Sequence, residues 1–227
     1  MFGNLVNTVA IIAGGLIGSV FNRALPERYH AIIFQAIGLF VMVLGISMAI
    51  KTEHILVCVF SLILGGLTGE FLKLDAQVKR LGEWLKRSLK FKNEKFTEGF
   101  ITTSLIYCIG AMAVLGAIEE GTGNFPAILL TKAAMDGFSA IPFAAALGTG
   151  VIFSAIPVAI YQGTITLLAF LFADALKMEM INELTAVGGV MIIGISISIL
   201  EIKDIKVVNI LPSLVFVIIL MSIFAPY

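Results

Sequence analysis

The residues best able to do chemistry sit where an apolar chain should not carry them. Between 125 and 163 the composition is that of a membrane span, yet the stretch holds Lys132, Asp136, Gln162 and Ser154. Lys132 and Asp136 are four apart, so on a helix they share one face. A charge in a lipid-embedded segment is costly; such groups face the protein interior, pair, or line a water-filled path. Two readings follow for the pair: a structural ion pair, or a substrate or coupling-ion site with Asp136 as the proton or cation carrier. Gln162 is a mid-span amide that must be satisfied if buried. Ser104 and Cys108 form a further i, i+4 pair, and Asn7 stands at the start of the first apolar segment. Gly137, Pro142, Gly148, Gly150, Pro157 and Gly163 are expected to break the helices of this region. Irregular backbone at bilayer depth is tolerated only inside protein or along a cavity.

The elements that must position these groups are transmembrane helices. The chain has 227 residues, of which 59% are hydrophobic and 13% charged, and its mean hydropathy is +1.05. A soluble domain carries about 25% charged residues. The apolar runs approach the roughly 20 residues needed to cross a bilayer. The expected fold is an all-α, polytopic helix bundle of about eight spans in a single transmembrane domain. Net charge is zero, which offers nothing to nucleic acid. Cys58 and Cys108 fall inside apolar segments and read as small buried hydrophobes. The N-terminal residues show no signal-peptide pattern.

Spans are expected near 5–20, 31–50, 55–72, 100–118, 126–148, 149–172, 184–200 and 207–224. Glycines spaced for close helix approach, as in Gly14-Gly15-Leu-Ile-Gly18, open a route to homo-oligomers. His30 and His54 read as interfacial turn residues, and Glu70 as a headgroup-level carboxylate. Residues 73–95 differ in kind. They carry Lys73, Lys79, Arg80, Lys86, Arg87, Lys90, Lys92 and Lys95, eight of the fifteen basic residues, with Leu74, Val78, Leu81, Leu85, Leu89 and Trp84 at helical spacing. That pattern predicts an amphipathic helix on the cytoplasmic surface. The acidic loops 119–124 and 174–183 then fall outside.

Ala36-Ile37-Gly38 with Gly45-Ile-Ser47 resembles Ala186-Val187-Gly188 with Gly194-Ile-Ser196. Residues 1–72 and 149–227 are therefore expected to be three-span repeats of inverted topology, flanking 73–95 and the central spans 96–148. Inverted repeats with broken helices are a common transporter architecture.

Asn7, Gly14–Gly18, Ser104-Leu-Ile-Tyr-Cys108-Ile-Gly110 through Gly116, Leu129-Leu-x-Lys132-Ala-Ala-Met-Asp136-Gly137, Gly148-Thr-Gly150 through Ser154-Ala-Ile-Pro157, and Tyr161-Gln162-Gly163 together carry a resemblance. The chain resembles the YqgA/YdfK family of uncharacterised prokaryotic multispanning membrane proteins (domain of unknown function five-five-four). The resemblance covers nearly the whole chain. It implies a multi-pass protein of the prokaryotic cytoplasmic membrane, of a kind usually described as transporting, with no substrate and no catalytic residues assigned.

Enzyme chemistry finds no support. There is no His-Glu-x-x-His, no Gly-x-Ser-x-Gly and no P-loop; no metal or cofactor motif stands out. The expected function is transport of a small polar or charged solute, in one form coupled to H⁺ or Na⁺, at a centre comprising Lys132, Asp136, Gln162, Ser104, Ser154 and Asn7. The alternatives are a passive channel, or a non-transporting scaffold that binds anionic lipid or a protein partner.

Overall fold

The computed structural model describes residues 1–24, 27–88, 95–109, 111–172 and 178–224. Arg23, Arg28 and His30 in the first turn, Leu89, Lys90 and Lys92, Gly110, and the connection from Asp174 to Lys177 lie outside the described residues or side chains. Among the described residues the chain is all helix, with no strand. The elements are α1 (Phe2–Ala24), α2 (Glu27–Ala49), α3 (Ile55–Leu72), α4 (Leu74–Ser88), α5 (Phe96–Cys108), α6 (Ala111–Gly121), α7 (Ala127–Leu147), α8 (Gly150–Phe153), α9 (Ala155–Phe172), α10 (Met178–Ile199), α11 (Val207–Ile210) and α12 (Ser213–Phe224).

Among the described residues six segments are long and apolar enough to cross a membrane, or seven if α5 and α6 make one span bent by 62° at their junction. The fold is thus a polytopic membrane helix bundle. The sequence predicts one span over 100–118. Instead Ile109 takes an extended backbone (φ −84°, ψ 123°) and ends α5. The apolar part of α2 described as such is the shorter Gln35–Ala49.

Two compact units divide the chain. The first comprises Met1–Ile37 and Leu81–Ala175. Its axis is the pair α1 and α7, which run parallel and in register. Gly3 meets Pro126 and Leu129, Gly14 meets the Gly137 carbonyl, and Gly18 meets the Ile141 carbonyl. A side chain at Gly14 or Gly18 would collide with backbone oxygen, so the small-residue face of α1 exists for this helix partner. α9 runs antiparallel to α1, with Gly163 against Asn4 and, just before it, Ile152 of α8 against Gly15.

The helix breaks differ from expectation. α7 is one helix of 21 residues, about 31 Å long; it continues through Gly137 and Pro142. Pro142 has no N–H for the Phe138 carbonyl, yet the helix is held by packing along its length. Gly163 is likewise interior to α9, and Pro157 falls in the first turn of α9, where no N–H is required. The break comes at Gly148, whose φ of +78° suits only glycine. Gly150 then passes against the Phe96 carbonyl, where a Cβ could not fit.

The second unit comprises Gly38–Arg80 and Leu176–Tyr227. α2 and α10 are antiparallel, with Gly45 against Ile193 and Gly189 against Ala49. α10 is the most enclosed span, 67% buried against 28% for α3. α3 packs antiparallel to the broken pair α11 and α12, Gly65 on Ser213 and Gly69 on the Asn209 carbonyl.

Polar groups at helix ends close both units. Glu120 accepts from the backbone N–H of Gly3 at 2.6 Å and of Asn4 at 3.4 Å, and Glu119 accepts from that of Ile128 at 2.9 Å. Residues 119–124 read as an acidic loop, but Glu119 and Glu120 lie in the last turn of α6 and cap α1 and α7, satisfying donors every helix leaves free at its start. Glu183, fully buried, holds the turn that leads into α3, accepting from Thr52 Oγ1 (2.7 Å), Glu53 N (2.6 Å) and His54 N (2.9 Å). His54 is the N-cap residue there but offers no side-chain cap itself. Glu70 bonds Asn209 Nδ2 at 2.6 Å and pairs with Lys206 at 3.2 Å, while Asn209 Oδ1 accepts from the N–H of Asp75 at 2.6 Å.

Candidate functional site

The site is built in the first unit where α1, α7 and α9 meet. On α7, Lys132 and Asp136 form an ion pair one turn apart, and both are at least nine-tenths buried. The helix places them one above the other on its inner face, as the i, i+4 spacing requires. From α1, the Asn7 amide donates to Asp136 Oδ2 at 3.1 Å and to Gln162 Oε1 of α9, also at 3.1 Å. Asn7 and Gln162 are both fully buried. The result is a chain of hydrogen bonds across three helices: Lys132 and Asn7 on one carboxylate oxygen, then Asn7 on Gln162.

Two residues that sequence alone did not single out complete the surroundings. The Lys132 ammonium lies 5.8 Å from the centroid of the Tyr107 ring, within cation–π range. Ser139 bonds the Asp136 carbonyl at 3.0 Å and Tyr107 Oη at 3.3 Å. The Tyr107 ring stands edge-on to Phe143, 6.4 Å between centroids, which fixes its plane. Nothing in an apolar, uncharged segment tells that the Tyr107 ring will face a lysine of another helix.

Of the sequence-predicted site residues, Lys132, Asp136, Asn7 and Gln162 come together. Ser104 donates to the Phe100 carbonyl of its own helix, and Ser154 to that of Val151, so neither hydrogen-bonds the cluster. Glu183, which the sequence places in an exterior acidic loop, lies in α10, and with Asn209, not singled out in the sequence, is a buried polar anchor of the second unit.

Chemically, the cluster can hold one negative and one positive charge away from lipid. It offers one carboxylate; among the described residues no three His, Cys, Asp or Glu side chains group as metal ligands would. On insertion scales either charge alone would cost about 2.5–3.5 kcal/mol at the centre of a membrane helix. Pairing and the Asn7 donor offset much of that.

Apolar spanning helices, with a buried ion pair packed among them, define a multi-pass membrane protein. The family model described as protein of unknown function (DUF554) matches residues 2–222, and the chain belongs to that family. It is similar to the uncharacterized membrane protein YdfK of Bacillus subtilis (strain 168), 36% identical over 220 residues, covering 94% of this chain and 93% of that protein. It is also similar to the uncharacterized protein YqgA of Escherichia coli (strain K12), 30% identical over 219 residues, with 94% and 93% covered. No solved structure matches the chain.

Proposed function

We propose that this protein moves a small polar or charged solute across the prokaryotic cytoplasmic membrane, in step with H⁺ or Na⁺, with Lys132 and Asp136 at its centre. The observation that carries this is the buried Lys132–Asp136 pair, held from α1 by Asn7 and backed by Gln162 on α9. A carboxylate bound by a group on α1, which in turn holds α9 through Gln162, can sense movement of those helices. Conversely, a change in its charge alters its hold on Asn7, and through Asn7 the link to Gln162. That is the minimum needed to link ion binding to a rearrangement of helices.

Eight crossings with inverted copies at 1–72 and 149–227 belong to the same proposal. It is supported by the second unit, where the two similar glycine segments pack on each other antiparallel and Ser196 Oγ donates to the Gly38 carbonyl at 2.6 Å.

Proteoliposome flux tests the reading. An imposed ion gradient should drive uptake by the wild type. The pair Lys132→Met with Asp136→Leu should fold but carry nothing. Wild-type flux in that variant would reduce the cluster to a structural ion pair, and flux indifferent to the gradient would make the protein a passive channel.

A second reading rests on α4. Leu81 and Trp84 are 53% and 62% exposed on a helix whose last turn holds Lys86 and Arg87. A scaffold that grips anionic lipid would use such a face. It predicts vesicle binding that depends on anionic lipid, with no flux under any gradient.

A further inference from the structure

Seven buried side-chain polar atoms lack a hydrogen-bond partner among the described residues, and four of them lie on one interface. They are Asn4 Oδ1 and Asn7 Oδ1 on α1, and Gln162 Nε2 and Thr166 Oγ1 on α9. Each of these residues is more than nine-tenths buried. Asn4 and Asn7 are three apart, and Gln162 and Thr166 four apart, so each pair lies along one helix face. The two faces meet: Asn4 Nδ2 donates to the Ala159 carbonyl at 3.0 Å, and Asn7 Nδ2 to Gln162 Oε1 at 3.1 Å.

The leftover atoms follow from the neighbouring charge. An ionised carboxylate only accepts, so Asn7 must turn its NH₂ toward Asp136. That NH₂ also meets Gln162, which must then answer with its carbonyl. Asn7 Oδ1 and Gln162 Nε2 are thereby left facing elsewhere, one an acceptor and one a donor. Folded chains rarely leave such atoms bare; they pair them with protein or with water.

The line has an inner and an outer end. Its inner end is Asp136. At the other end Asn4 N–H bonds Glu120, and the Thr166 carbonyl packs against Gly121, where any side chain would collide with it. Thr122 to Asn124, just beyond, are exposed. We propose that α1 and α9 enclose a polar path for water, leading from the Glu120 end of α1 to Asp136. Water is the fitting occupant because it both donates and accepts, as an orphaned amide N–H and an orphaned amide oxygen require, at the size of a single buried site. The path deepens the transport reading and rests on it, by stating from which end the carboxylate is reached.

Water-to-amide proton transfer in solid-state NMR tests this on uniformly ¹⁵N-labelled full-length protein in bilayers, with bulk water as the probe. The Gln162 Nε2 group should receive magnetisation from water several-fold faster than the backbone N–H of Ala140, which is fully buried on α7. Thr166→Val should slow that transfer at least about threefold, while Thr164→Val, at an exposed position of the same helix, should leave it unchanged. A Gln162 group as dry as Ala140 in the wild type overturns the path without any variant. A wet Gln162 that ignores Thr166→Val overturns it too, since water then arrives another way. The readout needs no flux. A protein wet along this line that carries nothing fails the transport reading alone, and a working transporter that is dry here fails only the path.

Discussion

Asn7 on α1 donates to the carboxylate of Asp136 on α7 across 129 positions of chain, at 3.1 Å and buried. With the neighbouring Lys132 it makes Asp136 the point where α1 and α7 are joined by polar chemistry as well as by packed glycines.

Asn7→Leu should therefore destabilise the protein by about 1–3 kcal/mol, the usual consequence of leaving buried partners unpaired. It strips a donor from Asp136 and leaves Gln162 Oε1 bare. Thermal unfolding in detergent would measure the loss. A melting temperature equal to wild type would mean that the three-helix chain contributes nothing.

Breaking the ion pair should be worse than deleting it. Lys132 alone, after Asp136→Leu, is a buried charge without a partner, and such losses run to about 3–5 kcal/mol. Lys132→Met with Asp136→Leu replaces both by apolar groups and should recover most of that stability. Yields of monodisperse protein rank the three. A double variant no better than the single one would contradict this.

Adjacent glycines on α3 should behave in opposite ways. Gly66→Ala meets nothing within 4 Å, and removing a helical glycine should stabilise by up to about 1 kcal/mol. Gly65→Ala would run into the Ser213 backbone and should destabilise and loosen α12. Melting temperatures of the two variants moving in the same direction would argue against the α3–α12 packing.

Glu183→Ala should release the start of α3. Three donors lose their acceptor, two of them the backbone N–H groups of Glu53 and His54. Hydrogen exchange at those amides should accelerate sharply. Glu183→Gln keeps an acceptor oxygen for both amides and should protect them far better, which separates capping from mere packing.

Because α1 and α7 are parallel and both begin beside Glu119 and Glu120 at the end of α6, Phe2 and Gly123 belong to one side of the membrane. Cysteines placed there, in a background without Cys58 and Cys108, should label from the outside of whole cells. A cysteine at Ser88, at the end of α4, should label only after the membrane is opened. The reverse pattern would invert the orientation of every loop.

Much of this was legible in the chain itself. Runs such as Ile55–Leu72 are so apolar that bilayer and helix are the only solution for their backbone, and the structure returns α3 with those bounds. The basic, leucine-spaced segment appears as α4, Leu74–Ser88. The Lys132–Asp136 pair is also local, since four residues of helix bring the two groups together whatever surrounds them. Glycine and proline inside α7 were less informative. Propensity marks Gly137 and Pro142 as breaks, but contact of α1 with α7 outweighs a local preference of this size, and only Gly148, with its positive φ, ends the helix. What tertiary structure alone decided is which distant polar groups meet. Asn7, Asp136 and Gln162 come from three helices, as Glu183 and the start of α3 come from two. Nothing periodic in the chain records those pairings, because they depend on how glycine faces set the register of one helix against another.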